Sequence, residues 1–347
     1  MRKPWILLLI AALALPVAAS GQGCMGGGSE EGVNVIGFIQ PQFEYHPNYD
    51  DSDLSELTFT FLRARLGVTG TVPYDISYYF VMEFGPFMSG EPPYMLDAFI
   101  TYTRLPYANI TLGQYKQPFS MERNIACHKL HTVRRANFVE ALAMDRDIGL
   151  MAFGEVAEGL NYHLALMNGT GKNTEDDNKG KDIIGRVTYE PMAYVTLGAG
   201  FVSGNSATDV EGADDNTKTR YGADIEVRYR DFLAQGEYIY GKDVGAYTEG
   251  GGCGGDPVVK EGSIKRDGYF ILLLYRTEYN LEPVVKYERY NADKDDAEDV
   301  WHAWTFGFNY FMNDWTRIQA NYIRRIEDFV PALNNDEFVV QVQVVMQ

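Results

Sequence analysis

Apolar and polar residues alternate with a period of two along most of the chain. In "RYGADIEVRYR" (220–230), five apolar or aromatic residues from Tyr221 to Tyr229 alternate with charged residues from Arg220 to Arg230. Successive side chains of a β-strand point to opposite faces, so this segment predicts a strand with one apolar and one charged face. The same alternation occurs in "FLRARLGV" (61–68), "HAWTFGFNY" (302–310) and "TRIQANYI" (316–323). The chain is therefore predicted to be all-β.

The breaks between these segments alternate in length. Short breaks fall at 70–75, 104–109, 155–160, 190–193, 230–233, 278–282 and 312–315. Longer polar breaks fall near 47–55, 85–94, 117–146, 170–182, 204–219, 242–267, 291–299 and 327–336. This rhythm predicts a transmembrane antiparallel β-barrel of about 16 strands, with short periplasmic turns and long outer loops. A barrel of that size is wide enough for a water-filled lumen.

The two ends of the chain complete the predicted organisation. Residues 1–20, "MRKPWILLLIAALALPVAAS", have the basic start, apolar run and small-residue end of a signal peptide. Residues 21–32 are predicted to be a flexible segment and 33–347 the barrel domain, whose last strand (337–347) closes against the first (33–45). Lipidation of Cys24 is an alternative, although Gly21 stands where lipoprotein signals carry an aliphatic residue. The chain ends in Gln347 and not in the aromatic residue that assembly machinery recognises, which leaves assembly efficiency open.

Composition agrees with a barrel that is apolar outside and polar inside. Aromatic residues make up 14% of the chain, and the mean hydropathy is −0.24. Cys127 and Cys253 either pair or stay unpaired, since three cysteines form no disulfide framework. No Ser-His-Asp constellation, zinc motif, calcium loop or dinucleotide fingerprint is present. We expect no enzyme activity, cofactor, metal site or nucleic-acid partner.

Four segments carry a resemblance to a known family: "TLGQYKQPFS" (111–120), "DRDIGLMAFG" (145–154), "YHLALMNGTG" (162–171) and "GRVTYEP" (185–191). With them the chain resembles the phosphate-selective porin O and P family over roughly residues 35–347, most specifically across 111–191. The resemblance implies a sixteen-stranded, usually trimeric porin of the Gram-negative outer membrane that passes small anions by diffusion. Phosphate or polyphosphate is bound along arginines and lysines in that family.

The longest loop is the third, from Gln117 to about Asp145, and porins commonly fold this loop into the lumen. It includes "HKLHTVRRAN" (128–137), although the whole chain has a net charge of −18. Rings of arginine and lysine act as anion filters, so the loop is predicted to form a basic constriction. Its candidate anion-path residues are Lys116, Arg123, Lys129, Arg134 and Arg135. Alternatively, these residues are solvated or pair with Glu140 and Asp145, and His128 and His131 are polar loop residues.

Strand residues supply a second candidate set on the predicted inner face. Arg63 and Arg65 are the preferred pair, because they share one strand with no acid between them. The same parity places further basic residues inside: Arg186, Arg220, Arg228, Arg230, Lys286, Arg317 and Arg325. It also places acids there: Glu83, Asp97, Asp224, Glu226, Glu237 and Glu288. Cross-strand ion pairs that stiffen the wall are the alternative role for this set.

The predicted function is passive diffusion of small anions, with phosphate or polyphosphate as candidates, through an outer-membrane porin. Expected partners are small anions, outer-membrane lipids and lipopolysaccharide, and two further copies of the chain in a homotrimer. The acidic outer loops, which include 49–53, 174–182, 209–216 and 293–299, leave two alternatives open. One is a general or cation-preferring pore, because these loops repel anions. The other is a barrel whose loops serve surface adhesion.

Overall fold

The chain forms a closed barrel of sixteen antiparallel strands. A computed structural model describes residues 32–47, 57–73, 75–206, 215–249, 258–296, 300–327 and 335–346. The predicted signal peptide, nearly all of the 21–32 segment, Cys24 and Cys253 lie outside the described residues. Each strand pairs with its neighbour in sequence, and β16 pairs with β1. The predicted fold class and strand number are confirmed.

The strands range from short hairpin strands to two of 18 residues. They are β1 Gly32–Tyr45, β2 Leu57–Val72, β3 Ile76–Glu83, β4 Tyr94–Leu105, β5 Ala108–Lys116, β6 Arg146–Ala157, β7 Leu160–Met167, β8 Asp182–Met192, β9 Val195–Ser206, β10 Asn216–Tyr229, β11 Phe232–Glu249, β12 Val258–Tyr275, β13 Leu281–Asn291, β14 Val300–Phe311, β15 Thr316–Glu327 and β16 Glu337–Met346. The seven short breaks fall between strands as predicted.

The barrel closes where the sequence predicts it. β1 and β16 run antiparallel from the pair Gly37 and Met346 to the pair Tyr45 and Phe338. Closure gives every strand a hydrogen-bonded neighbour on both sides. This matters in a bilayer, where unpaired backbone groups find no water. Within the described residues no helix is long and apolar enough to cross a membrane.

Alternation decides which face each side chain takes. On β10, Tyr221 and Ile225 are exposed on the outer face, whereas Arg220 and Asp224 are buried on the inner face. The outer face is apolar all round the barrel, and the inner face carries most of the buried polar side chains. Arg230 departs from the prediction. It lies in the turn after β10 with a φ of 52°, and its side chain is exposed, because the strand has already ended.

The break predicted at 242–267 was too long. β11 and β12 continue into it, and their pairing extends from Val244 and Ser263 to Glu249 and Val258. Tyrosine and valine favour extended backbone even between charged residues, which accounts for the continued pairing of the two strands.

Candidate functional site

The connection between β5 and β6, residues 117–145, is the longest within the described chain and holds five of the seven predicted site residues, counting the adjoining Lys116. It contains helix α1 (Met121–Asn124), a 3₁₀ turn (Cys127–Lys129) and helix α2 (Asn137–Leu142). The Ser120 hydroxyl caps α1 by accepting a hydrogen bond from Arg123 N at 3.1 Å. The Glu122 carboxylate accepts one from Ala136 N, just before α2, at 2.7 Å. These local bonds hold the two halves of the connection together.

Strands β8 and β11 anchor the first half of the connection. Glu237 on β11 accepts hydrogen bonds from Met121 N at 3.0 Å and Glu122 N at 2.8 Å. Arg186 on β8 donates to Phe119 O at 2.9 Å and also pairs with Asp224. Irregular buried backbone must find partners outside a helix or sheet. Here the polar inner face of the strands supplies them.

Strand β15 anchors the middle of the connection. Arg317 donates to Leu130 O and His128 O, both at 3.0 Å. Val133 N donates to Asn321 Oδ1 at 2.8 Å. β15 lies almost opposite β8 in the ring of sixteen strands. One connection therefore makes hydrogen bonds to nearly opposite walls.

The second half of the connection packs through apolar side chains. Phe138 and Val139 of α2 are fully buried, and the Phe138 ring lies 6.3 Å from the Phe270 ring on β12. Gly268 makes room for this contact, since a Cβ there would lie 2.4 Å from Phe138 Cβ. α2 is thus fixed to the β11–β13 wall by packing, while the 128–134 segment is held by polar bonds.

Arg134 lies between two carboxylates of the barrel wall. Its Nη2 is 2.7 Å from Glu44 on β1 and 2.8 Å from Glu337 on β16, and its side chain is 32% exposed. Burial opposes ionisation, but the two carboxylates outweigh it and raise the pKa of Arg134. The alternative that Arg134 pairs with Glu140 and Asp145 was wrong, because the wall acids lie closer.

Arg135 and Arg123 face Glu140 from the other side of the connection. Arg123 Nη1 is 2.8 Å from Glu140 and 3.8 Å from Asp145. Arg135 donates to the carbonyls of Glu122 and Ile125, and its Nη1 lies 3.9 Å from Glu140. The alternative of pairing with these acids therefore holds for Arg123 and, at longer distance, for Arg135.

The two predicted lysines have different surroundings. Lys116 is buried, and its ammonium donates to Arg123 O at 2.9 Å and Ile125 O at 3.1 Å. Lys129 is exposed at the end of the 3₁₀ turn, and no carboxylate of the described residues lies within ion-pair distance of it. Lys116 therefore supports the connection, whereas the Lys129 ammonium is available to solutes.

Arg63 and Arg65 both lie on the inner face of β2, as predicted. Arg65 is buried, with its Nε 2.7 Å from Glu83 and its Nη1 3.1 Å from Cys127 Sγ. Arg63 is half-buried and donates to the Gln40 side chain at 3.0 Å. Within the described residues Arg63 has no ion-pair partner, so its charge faces the space beside the connection.

Cys127 lies buried among cationic side chains of β2 and the connection. Its Sγ accepts from Arg65 and lies 3.5 Å from Arg135 Nη2. Burial raises the pKa of the thiol, but the charges of Arg63, Arg65, Arg135 and Lys116 outweigh this and hold the pKa well below its usual value. Cys127 forms no disulfide with any described residue, and its predicted alternative partner Cys253 lies outside them. A lowered pKa favours the thiolate, and a thiolate here would be a counter-charge for the arginines.

Two adjoining cavities open beside the connection, and both are lined mainly by charged groups. The upper cavity, of about 480 Å³, lies between the connection and β2–β4, and the side cavity, of about 310 Å³, lies towards β13–β15. Both include Arg63, Arg135 and Glu140. Together their linings hold eight cations, namely Arg63, Arg65, Arg123, Arg134, Arg135, Lys172, Lys286 and Arg325, against four acids, namely Glu83, Glu140, Asp145 and Glu288. The solvent-filled space is thus predominantly basic.

Glu44, His46 and Glu337 form the one group of three potential metal ligands found among the described residues. Their ligating atoms lie within 4.8 Å of one another. Arg134 already donates to both carboxylates, and Arg325 lies 2.9 Å from Glu337. These guanidinium groups supply the counter-charge that a metal ion would otherwise provide.

Several residues of the site were missed from the sequence. Glu337 and Glu44 have the inward parity of Gln341 and Gln42 on their own strands, so alternation could have identified them. Lys286 was identified only as one of many inner residues. No sequence signal placed Lys172, from the β7–β8 connection, in the upper cavity, or Cys127 beside Arg65.

The comparisons with known proteins agree with this geometry. Residues 33–247 match the family described as phosphate-selective porin O and P. The structure is similar to an anion-selective porin from Comamonas acidovorans, with 15% identity and a TM-score of 0.68 over 91% of this chain and 99% of that one. It is also similar to the outer membrane channel DcaP of Acinetobacter baumannii, with 13% identity and a TM-score of 0.66 over 92% of this chain and 99% of that one. A third similar structure is OmpT of Vibrio cholerae in its trimer form, with 13% identity and a TM-score of 0.63 over 90% of this chain and 99% of that one. No curated protein sequence matches the chain.

Proposed function

Because the chain belongs to the phosphate-selective porin O and P family, we propose that it lets small anions diffuse passively across the membrane, with phosphate or polyphosphate as candidate solutes. Family and fold make it a porin of the Gram-negative outer membrane, and they support a channel rather than an enzyme. The selectivity is our inference from the side chains.

The observation that carries the proposal is the charge of the two cavities. Their linings hold twice as many cations as acids, although the whole chain has a net charge of −18. A cleft lined by one sign of charge concentrates counter-ions, and low-dielectric walls strengthen the field. Anions entering the upper or side cavity are thus favoured over cations.

Residues 117–145 are proposed to form the constriction. The supporting contacts are those to β8, β11 and β15, which require the connection to span the barrel between nearly opposite walls. The free passage then lies along β2, where the upper and side cavities meet. Arg63 is the cation most available there, since it has a single hydrogen bond to Gln40. Arg134 and Arg135 contribute as partly neutralised charges.

A homotrimer is part of the proposal, together with lipid and lipopolysaccharide contacts. Its support is the exposed apolar outer face and the similar fold of a porin described in its trimer form. The acidic connections, such as Asp176 and Asp177 between β7 and β8, are exposed. Lipopolysaccharide bridged by divalent cations is the ligand their charge would suit.

Reversal potential in a salt gradient across a planar bilayer tests the selectivity. The intact protein is expected to prefer chloride over potassium. Arg63→Gln should lower the chloride to potassium permeability ratio about two- to fourfold, as expected for the loss of one charge roughly 5–10 Å from a permeating ion in water. Arg104→Gln is the matched control, because Arg104 is an exposed arginine at a short turn, where it lies 3.7 Å from Asp75.

A cation-preferring pore is the second candidate function, and the exposed acids of the β7–β8 connection favour it. If the reversal potential of the wild-type protein shows that potassium is more permeant than chloride, the cation-preferring pore is supported and the anion proposal is overturned. An unchanged ratio in Arg63→Gln would show that the path does not pass Arg63. Surface adhesion predicts instead that chloride preference is absent while partner binding depends on the long connections.

A further inference from the structure

A third cavity, here called the lower cavity, lies between the 126–129 segment and the wall formed by β1–β4 and β16. Its volume is about 150 Å³. It contains residues from the start of β1 and the end of β16, so it lies towards the short-connection end of the barrel. The upper cavity contains residues from the start of β2, at the other end. Arg65 borders both cavities, so they lie on either side of the same side chain.

The lower cavity differs chemically from the other two. Phe38, Val81 and Leu96 are all buried and form an apolar wall. Tyr79 completes this wall and stacks on Phe99 with ring centroids 5.2 Å apart. The Phe38 ring also lies 5.3 Å from the His128 ring. An aromatic and aliphatic wall binds apolar groups and gives inorganic ions nothing to bind.

Three charged side chains also line this cavity, namely Arg65 and Asp97 on the wall and Lys129 on the connection, and the two on the wall are already engaged. Asp97 accepts hydrogen bonds from Arg146 at 2.8 and 3.0 Å. Arg65 is held by Glu83 and Cys127. The Lys129 ammonium remains, with no carboxylate of the described residues within ion-pair distance. The cavity thus combines an apolar wall with one available cation.

We propose that the lower cavity is a subsite for small aromatic carboxylates, with the ring against Phe38, Tyr79, Val81 and Leu96 and the carboxylate on Lys129. A cavity of about 150 Å³ is the size that holds one benzene ring. Aromatic rings pack favourably edge to face or offset against other rings. The inference rests on the proposed function, because the pore supplies the route by which an anion arrives.

The test uses the full-length protein in planar bilayers with three added solutes: benzoate, acetate and benzyl alcohol. Benzoate has both the ring and the charge, whereas each of the others lacks one. The measured quantity is the solute concentration that halves the chloride current. Benzoate is expected to act at a concentration at least about tenfold below acetate, because ring burial favours binding. The benzoate concentration that halves the current should also be about fivefold lower than that of benzyl alcohol, which is the effect of one partly exposed ion pair.

The variant Lys129→Gln tests how much the charge of the lysine contributes to benzoate binding. This variant should weaken the block by benzoate about fivefold and leave the block by benzyl alcohol unchanged. Lys179→Gln is the matched control, because Lys179 is an exposed lysine in the β7–β8 connection with no ion-pair partner among the described residues. It should leave both values unchanged.

The outcomes separate this inference from the proposed function. If chloride is preferred but benzoate and acetate act alike, the subsite is overturned while the anion pore stands. If benzyl alcohol acts as strongly as benzoate, the cavity is an apolar pocket and the carboxylate assignment fails. If potassium is preferred, the proposed function fails, and a Lys129-dependent block by benzoate would still support the subsite.

Discussion

Cys127 sets the charge balance beside Arg65 through a single sulfur atom. Four cationic side chains, Arg63, Arg65, Arg135 and Lys116, hold the pKa of its thiol below the usual value despite burial. The thiolate form would offset part of the positive charge beside Arg65, which borders both the upper and the lower cavity. In the proposed anion path, such a negative charge would lower the selectivity for anions.

Cys127→Ser is expected to strengthen the anion preference. A serine hydroxyl stays neutral, so the variant gains one unit of positive charge. The chloride to potassium permeability ratio should rise about two- to fourfold at low salt, the effect of one charge roughly 10 Å away. Cys127→Asp keeps the charge and should leave the ratio near that of the wild type. If Cys127→Ser leaves the ratio at the wild-type value while Cys127→Asp lowers it, the thiol carries no charge in the folded protein.

The sequence could not predict which acids pair with which arginines. Arg134 was identified as a site residue, yet its partners Glu44 and Glu337 are 90 and 203 positions away. Three-dimensional proximity of that kind follows from barrel closure and not from local pattern. The nearer acids, Glu140 and Asp145, were the natural guess and suit Arg123. Arg63 and Arg65 were identified correctly because strand parity alone fixes their face.

Helix α2 is the element that fastens the connection to one wall. Its buried side chains Phe138, Val139 and Leu142 join a core cluster with Phe270 and Leu272 of β12. Phe270 and Leu272 form an apolar patch on the otherwise polar inner face of the barrel. This patch is shielded from water only when α2 covers it. If the 117–145 connection forms the proposed constriction, this packing determines on which side of the barrel the free passage remains.

Phe138→Ala is expected to loosen α2 without unfolding the barrel. Removing a fully buried ring costs about 3–5 kcal/mol of packing, more than a six-residue helix recovers from its own hydrogen bonds. We expect a larger and noisier single-channel conductance and new protease cleavage between residues 120 and 142. Phe87→Ala, on an exposed side chain of the β3–β4 connection, is the control. If its conductance and cleavage pattern match those of Phe138→Ala, packing by α2 does not hold the connection.

Element prediction succeeded for strands and failed for short helices. Period-two alternation predicted the strand type in several segments, and the rhythm of short and long breaks predicted sixteen strands, the number observed. Helices α1 and α2 are four and six residues long, too short to form without tertiary packing. Nothing local in the sequence reveals them. The ends of β11 and β12 were misplaced because charged residues on both faces hide the alternation there.

The barrel wall and the 117–145 connection are held by different interactions. The wall is held by ladders between all neighbouring strands, including β1 with β16. The connection depends on inner-face acids, since Glu237 accepts its backbone N–H groups while Glu44 and Glu337 bind Arg134. Removing the connection would leave the ladders intact, while Glu237 would lose its backbone donors and Glu44 and Glu337 would lose Arg134, although Glu337 would keep Arg325. Wall stability and pore selectivity are thus separable.

Replacing residues 118–144 with a four-residue turn tests this separation. Lys116 and Arg146 are direct partners in the β5–β6 ladder, so a hairpin turn can join the two strands. The shortened protein should still fold as a barrel, with a conductance several times that of the wild type. Its selectivity should shift towards cations, because Arg123, Arg134 and Arg135 are lost while Glu44, Glu237 and Glu337 remain. Single-channel conductance and reversal potential measure the two effects.

A matched replacement of residues 174–180 in the β7–β8 connection controls for shortening a loop. This segment is exposed or half-exposed, and its described ion pair joins Asp176 to the nearby Lys181. Its loss should change neither conductance nor the sign of selectivity. If the replacement of 118–144 also left both unchanged, the 117–145 connection would not narrow the path. In that case the basic groups of β2, above all Arg63, would have to account for any anion preference alone.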